Sequence, residues 1–345
     1  MVTLSDVAQA AGVSLSTASR AINGSKDRTV NPQLREKVLA VAAELRYSPN
    51  AAAQAIARGQ TTGLSLLVHD IADPYFSSIA AGVTSQARSA GCSVLLGVTN
   101  HDLDEMRWQI DQARRHRSRA LVMVGSLTDR AEQRSALLTS LEEFRAATGS
   151  GVALVSQPLP GIRTVRPANR EGARLLGAAL TQQGHRRFAV LTGPEEHLTA
   201  QDRRDGFIAG LPDPAGVLSY RAADFDRDGG YEAMSALIGS GELPDAVFAV
   251  TDVMAVGALA AARERGLRVP GDIAVAGFGD IPTLRDYTPA LTTVHIDLEA
   301  LGETAARAAL TDSGPMDLEV PVEVVLREST VPDRRRLRGG SAASL

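Results

Sequence analysis

Cysteine, aromatic rings and long apolar runs are all scarce in this chain. Its one cysteine, Cys92, can neither close an internal disulfide nor build an all-cysteine metal site, and such sparing use suits a reducing compartment. No apolar stretch approaches the ~20 residues that a bilayer span requires, so no membrane segment is expected. The amino terminus lacks a charged-then-apolar leader, which points to the cytoplasm. Neither charge dominates: a net −4 over 345 residues is too little to define a partner. Catalytic signatures are missing as well, with no G-x-S-x-G elbow, no P-loop and no H-E-x-x-H. Gly277-Phe278-Gly279-Asp280-Ile281-Pro282 begins like a dinucleotide fingerprint, but Pro282 stands in place of the third glycine and no long helix follows promptly. The six histidines, His69, His101, His116, His185, His197 and His295, show no ligand spacing. No enzyme, cofactor or metal site is therefore expected.

What is present is unevenly distributed. Residues 1–60 hold seven Lys and Arg (Arg20, Lys26, Arg28, Arg35, Lys37, Arg46, Arg58) against four acids (Asp6, Asp27, Glu36, Glu44), leaving the remainder acidic. A cationic head on an anionic body suits phosphate contact at one end. Within that head, TLSDVAQAAGVSLSTASRAIN over 3–23 reads as a helix-turn-helix. Thr3 is an N-cap with Asp6 three residues on, and Leu4, Val7, Ala8 and Ala11 share one helical face. Gly12 falls where a left-handed C-terminal residue is needed, Val13 plugs the core and Ser14 caps the second helix. That helix turns Ala18, Ala21 and Ile22 inward, leaving Leu15, Ser16, Ser19, Arg20 and Asn23 outward. Arg suits a guanine edge, Ser donates or accepts, and an exposed Leu suits a thymine methyl. Asn31 and Pro32 open a third helix carrying Leu34, Val38, Val41, Ala42 and Leu45.

After Tyr47-Ser48-Pro49-Asn50, an alanine-rich segment over 51–58 is a marginal helix that orders only when something packs against it. Ile56 is either a wedge for a minor-groove base step or part of a plain helical linker. From Gly63 apolar strands alternate with amphipathic helices: strands over 64–68, 93–98, 120–124, 152–155, 187–192, 246–250, 273–277, 291–294 and 320–326, and helices over 75–90, 103–116, 132–147, 169–183, 200–211, 229–240, 253–265 and 298–310. Repeated βα units with buried strands imply doubly wound parallel sheets, long enough for two lobes, with a boundary expected near 157–161. The expected domains are a head over 1–47, a hinge helix over 48–60, a two-lobed α/β body over 61–330 and a disordered tail over 331–345.

These features resemble the lactose-repressor (LacI) family of bacterial transcription regulators over nearly the whole chain. The carriers are the 3–23 motif, YSPNAAAQAIARG, LLVHDIADPYF, GHRRFAVLTGP, GLRVPGDIAVAGFGD and PALTTVHID. The resemblance implies an all-α helix-turn-helix head that binds a palindromic double-stranded DNA operator as a homodimer. It also implies a hinge helix that orders in the minor groove, and a body folded like periplasmic sugar-binding proteins with a small-molecule effector between its lobes. Repression is expected, although the family includes activators.

Position by position, Leu15, Ser16 and Arg20 would face bases, with Ser14, Thr17 and Asn23 nearer the backbone. Asn50 belongs to the same DNA-contacting set, and Ile56 stands where the family usually has Leu. In the cleft, Tyr75, Phe76 and Phe225 would flank a ring, Arg203 would hold ligand oxygens, Asp73 lies in the loop after the first strand, and Asp252 is either a ligand contact or a helix cap. The chain departs from the family at Gly279, Ala168 and Gln157, where acidic residues are common, which points to an effector other than a plain neutral sugar. A solute-binding protein is the alternative for the body alone, but it has no use for residues 1–60, and the leucine-poor C-terminal segment cannot form a tetramerising coiled-coil seam.

Overall fold

The computed structural model describes residues 2–23, 30–48 and 62–331. The expected hinge helix, with Asn50, Ile56 and Arg58, lies outside the described residues, as do Lys26, Arg28 and the tail from 332 onward. The chain divides into two compact units at Thr61/Thr62.

In the first unit, α1 (Leu4–Ala11), α2 (Leu15–Asn23) and α3 (Pro32–Glu44) enclose a core of Val7, Ala8, Ala11, Ala18, Ala21, Val38 and Ala42. Thr3 and Asp6 form a reciprocal capping box: the Asp6 N–H donates to Thr3 Oγ1 at 3.3 Å, and the Thr3 N–H donates to Asp6 Oδ2 at 2.8 Å. Gly12 terminates α1 at φ 66°, and the Val13 N–H reaches back to the Ala8 carbonyl at 2.9 Å. A side chain is disfavoured at that φ, so the sharp turn depends on glycine. Small residues at 8, 11, 18 and 21 then let the helices approach closely.

The second unit carries two parallel sheets. The first contains β1 (Gly63–Val68), β2 (Ser93–Val98), β3 (Ala120–Val124), β4 (Gly151–Val155), β5 (Arg163–Pro167) and β11 (Asp317–Val320), in the order β11-β5-β4-β3-β1-β2. The second contains β6 (Phe188–Thr192), β7 (Val217–Ala222), β8 (Ala246–Ala249) and β9 (Ala274–Ala276), in the order β7-β6-β8-β9. A short antiparallel pair, β10 (Thr293–His295) with β12 (Glu323–Val325), completes the unit. Lobe 1 is covered by α4 (Pro74–Ser89), α5 (Leu103–Arg115), α6 (Ala131–Thr148) and α11 (Leu298–Thr311); lobe 2 by α7 (Asn169–Gln182), α8 (Leu198–Ala209), α9 (Arg227–Gly239) and α10 (Asp252–Glu264).

Three details differ from the sequence expectation. The first crossing between lobes follows Pro167 rather than 157–161, because β5 pairs with β4 and stays in lobe 1. The segment expected as one strand over 320–326 is two strands in different sheets, interrupted at Pro321, which has no N–H for a ladder. Strands β5 and β7 were not expected. Arginines obscure β5, but Arg166 is held across the sheet by Asp317 at 2.8 Å and by Glu319 on β11, and Arg163 by Asp312, at the end of α11, at 3.2 Å.

Helices α4 and α11 pack backbone to backbone. A Cβ on Gly82 would stand 1.9 Å from the Glu299 carbonyl oxygen, and one on Gly302 would stand 2.1 Å from that of Ile79. Relief requires the helices to separate, so Gly82→Ala is expected to cost about 1–3 kcal/mol and lower the thermal midpoint. Gly239→Ala, with nothing within 4 Å of the added carbon, should leave the midpoint unchanged or raise it. Calorimetry on the two variants tests the contrast; equal midpoints would remove the argument.

Candidate functional site

The head presents a polar helix face. Ser14, Leu15, Ser16 and Asn23 are exposed, Leu15 at 54%, whereas Thr17, Ser19 and Arg20 are half-buried. Ser14 caps α2 as expected, accepting the Thr17 N–H at 3.2 Å and sharing hydrogen bonds with the Ser16 and Thr17 hydroxyls at 3.0 and 2.8 Å. Arg20 lies along the helix: Nε donates to the Ser16 carbonyl at 2.9 Å and a terminal nitrogen to Ser16 Oγ at 3.3 Å. An exposed large aliphatic beside hydroxyls and a guanidinium matches the mixed chemistry of major-groove base edges.

The body presents a cleft. Loops leaving the carboxyl ends of β1 through β9 all contribute to a single cavity that is open to solvent at its mouth. Asp73, Tyr75, Phe76, Arg203, Phe225 and Asp252 all line it. Residues not singled out from the sequence join them, chiefly His101, Ser126, Ser156, Thr199, Thr251 and Phe278. The same rule that located Asp73, that ligands lie beyond strand carboxyl ends, also applies to His101 after β2.

Arg203 is only 3% exposed. Its Nε donates to Asn169 Oδ1 at 2.9 Å, Nη1 donates to the Val250 carbonyl at 2.7 Å, and the guanidinium lies 4.0 Å from the centroid of the Phe278 ring. Burial pulls its pKa down, opposed by nearby Tyr75 and Asp252. Asp73 caps α4 by accepting the Tyr75 N–H at 2.8 Å, and burial pushes its carboxyl up to about 6. Tyr75 and Phe76 meet edge to face at 5.3 Å. Phe225 enters from lobe 2 against Gly193, where a Cβ would stand 2.0 Å from the ring.

Asp252 does not cap its helix; Thr251 does, accepting the Met254 N–H at 3.4 Å. Instead Asp252 accepts the Thr293 hydroxyl at 2.6 Å and the Ile281 N–H at 3.0 Å, and burial pushes it up to about 6. Both oxygens therefore brace the wall behind Gly277 and Gly279. The Gln157 amide is also committed, accepting the Leu127 N–H at 3.0 Å and donating to Thr199 Oγ1 at 2.9 Å, which ties lobe 1 to lobe 2. Gly279 sits at φ 135°, a conformation open chiefly to glycine, with Asp252 and Tyr75 in front of it.

Comparison with known proteins agrees with both halves of this description. Residues 178–330 match the periplasmic binding protein-like domain, and residues 3–50 match the bacterial regulatory proteins of the lacI family. The chain is 35% identical over 313 residues to the HTH-type transcriptional repressor PurR of Erwinia tasmaniensis, covering 88% of each protein. It is 33% identical over 337 residues to the repressor of the same name from Escherichia fergusonii, covering 95% of this chain and 97% of that one. Among solved structures, a lac repressor dimer bound to operator and the anti-inducer ONPF superposes with a TM-score of 0.83 at 29% identity, covering 96% of this chain and 99% of that one. The transcriptional regulator CelR in complex with cellobiose gives 0.66 at 28% identity, covering 95% and 100%. With a helix-turn-helix head, a two-lobed α/β body and full-length relatives at this level of identity, the chain belongs to the LacI family of bacterial transcription regulators.

Proposed function

We propose that this regulator represses transcription by binding an inverted-repeat operator as a homodimer, under the control of a sugar-like metabolite held between its lobes. The observation that carries the reading is the convergence of nine strand-end loops on one cavity that contains all six residues named from the sequence. In the head, Leu15, Ser16 and Arg20 read base edges, while Ser14, Thr17 and Asn23 contact the backbone. Asn50 and Ile56 would act in the hinge. Two heads on a two-fold axis would meet the half-sites of an inverted repeat.

Two apolar edges of the body support the homodimer. Strand β2, at one edge of the first sheet, exposes Leu95 and Leu96 at 45% and 48%, and β7, at an edge of the second, exposes Leu218 and Tyr220. Unpaired apolar edges of this kind call for a cover. The lac repressor structure cited above is itself a dimer.

In the cleft, Tyr75, Phe76 and Phe225 supply ring faces, Arg203 supplies donors, and Asp73 supplies an acceptor. Gly279 and Ala168 offer no carboxylate, and the Gln157 amide is engaged between the lobes. Few acceptors are left for the hydroxyl protons of a sugar, so the effector is a sugar-like compound with acceptor or anionic character facing Arg203 rather than a plain neutral hexose or pentose. Exclusion of water by the closed lobes would strengthen each contact.

Selection from random duplex pools should retain an inverted-repeat subset; a protein that only binds solutes would retain none. Leu15→Ala and Arg20→Ala should each weaken binding to the selected site by roughly 1–3 kcal/mol in gel shifts and relax base preference at the contacted position. Wild-type-like affinity in both variants would remove α2 as the reading helix. In sedimentation, the double variant Leu95→Glu, Leu96→Glu should shift mass from dimer to monomer and lower operator affinity; an unshifted dimer would move the interface elsewhere. Calorimetric titration with neutral hexoses and pentoses should show no micromolar binding. Micromolar binding abolished in Arg203→Ala would show that a plain sugar is the effector.

A further inference from the structure

Three histidines that are 32 and 96 residues apart in sequence (His69, His101 and His197) meet at the cleft mouth. His69, at the end of β1, is buried; its Nδ1 lies 2.8 Å from Thr99 Oγ1. His101, on the loop after β2, stacks on it with ring centroids 4.0 Å apart and 29° between planes. His101 then meets two rings of lobe 2: His197 edge to face at 5.2 Å, and Phe225 at 6.1 Å. His197 and Phe225 are themselves 5.4 Å apart. Gly125 makes the stack possible, since a Cβ there would stand 1.9 Å from His69 Nε2.

The column crosses from lobe to lobe beside a short backbone seam. The Asp129 N–H donates to the Glu196 carbonyl at 2.8 Å, and the Leu198 N–H donates to that of Leu127 at 2.9 Å. His197 Nδ1 is buried without a hydrogen-bond partner among the described residues. Packed in this way, the rings resist charging. Burial holds His69 well below the ordinary imidazole value, brings His101 down to about 4 and lowers His197, and the neighbouring imidazoles push His69 and His101 further down.

Other charges face the column from each neighbouring element. Asp70 follows β1, and Asp102 caps α5 beside His101. Asp129 and Glu196 lie near His197, with Arg130 3.7 Å from Glu196. Arg134 shares a small cavity with His101 and His197 and donates to the Thr128 carbonyl at 2.7 Å. The acids favour charged imidazole, yet burial outweighs them.

We propose that the stacked His69, His101 and His197 rings form a proton-sensitive latch across the cleft: neutral rings hold the lobes together, and protonation of His101 parts them. When the lobes separate, His101 leaves His197 and Phe225 for water, where an imidazole titrates near about 6.5. Closure therefore expels a proton below that pH, and the closed-to-open ratio falls up to about tenfold per pH unit from about 6 toward about 4. Any effector that requires closed lobes loses affinity in proportion to the fall in the closed fraction.

Asp73 and Asp252, both pushed up to about 6, titrate in the same range with the opposite sign. Their closed-state pKa values are raised, so if opening exposed them to water, acid would favour closure. The direction of the response thus identifies the responsible group. The regulatory meaning rests on the effector-cleft reading above, but lobe separation can be measured with no effector present, so the two can fail independently.

The test uses the full-length chain with Cys92→Ser and spin labels on Arg107→Cys in lobe 1 and Glu242→Cys in lobe 2. Pulsed electron resonance measures the interlobe distance at pH 7.5 and pH 5.0. A longer distance at pH 5.0, abolished by His101→Phe, which keeps a ring in the stack but cannot be charged, supports the latch. His101→Gln serves as the second variant if circular dichroism shows the first to be misfolded. An unchanged distance, a shorter one at pH 5.0, or the same lengthening in the His101 variants would overturn it.

Discussion

Parallel pairing is the constraint on which the body depends. In the two main sheets every strand runs alongside neighbours of the same direction, so each must be followed by a crossover, and all the outgoing loops of a sheet emerge on one edge. When two such sheets lie in lobes joined by crossing chains, both loop edges line the same cleft. Nine separate loops thereby converge on one cavity, although the residues they bring together are scattered from Asp73 to Ile281. The chemistry of the site is an outcome of this geometry rather than of any local motif.

Within the cleft, bracing takes up more of the polar groups than their number suggests. Asp252 holds Thr293 and the Ile281 amide, Gln157 spans from Leu127 to Thr199, and Arg203 is fixed by Asn169, the Val250 carbonyl and the Phe278 face. These are buried groups that would be costly without partners. The wall is accordingly rigid, and the arginine is already oriented before anything enters. Asp280 plays a similar part behind the cleft, pairing with His295 at 2.9 Å and Arg327 at 2.6 Å where the chain passes between lobes.

Much of this was legible in the sequence, for identifiable reasons. The helix-turn-helix is local: Thr3, Asp6, Gly12 and Ser14 cap and turn their own neighbours, so spacing alone sufficed. The buried strands β3 and β4 declare themselves as uninterrupted apolar runs, and β1 as one broken only by Ser65. Strand β5 did not, because its arginines are answered by acids about 150 residues away, and β7 did not, because it is a half-exposed edge. The histidine column was invisible for the same reason. Spacing of 32 and 96 residues carries no signal until the fold places the three loops side by side.

The chain passes between the lobes three times, after Pro167, after His295 and after Val320, so neither lobe is a continuous stretch of sequence. The second crossing leaves and the third enters the antiparallel pair β10 and β12, and the first lies beside the third, where the Ala168 N–H donates to the Val320 carbonyl at 3.0 Å. The same threading means that exchanging lobe 1 between relatives needs three matched splice points rather than one.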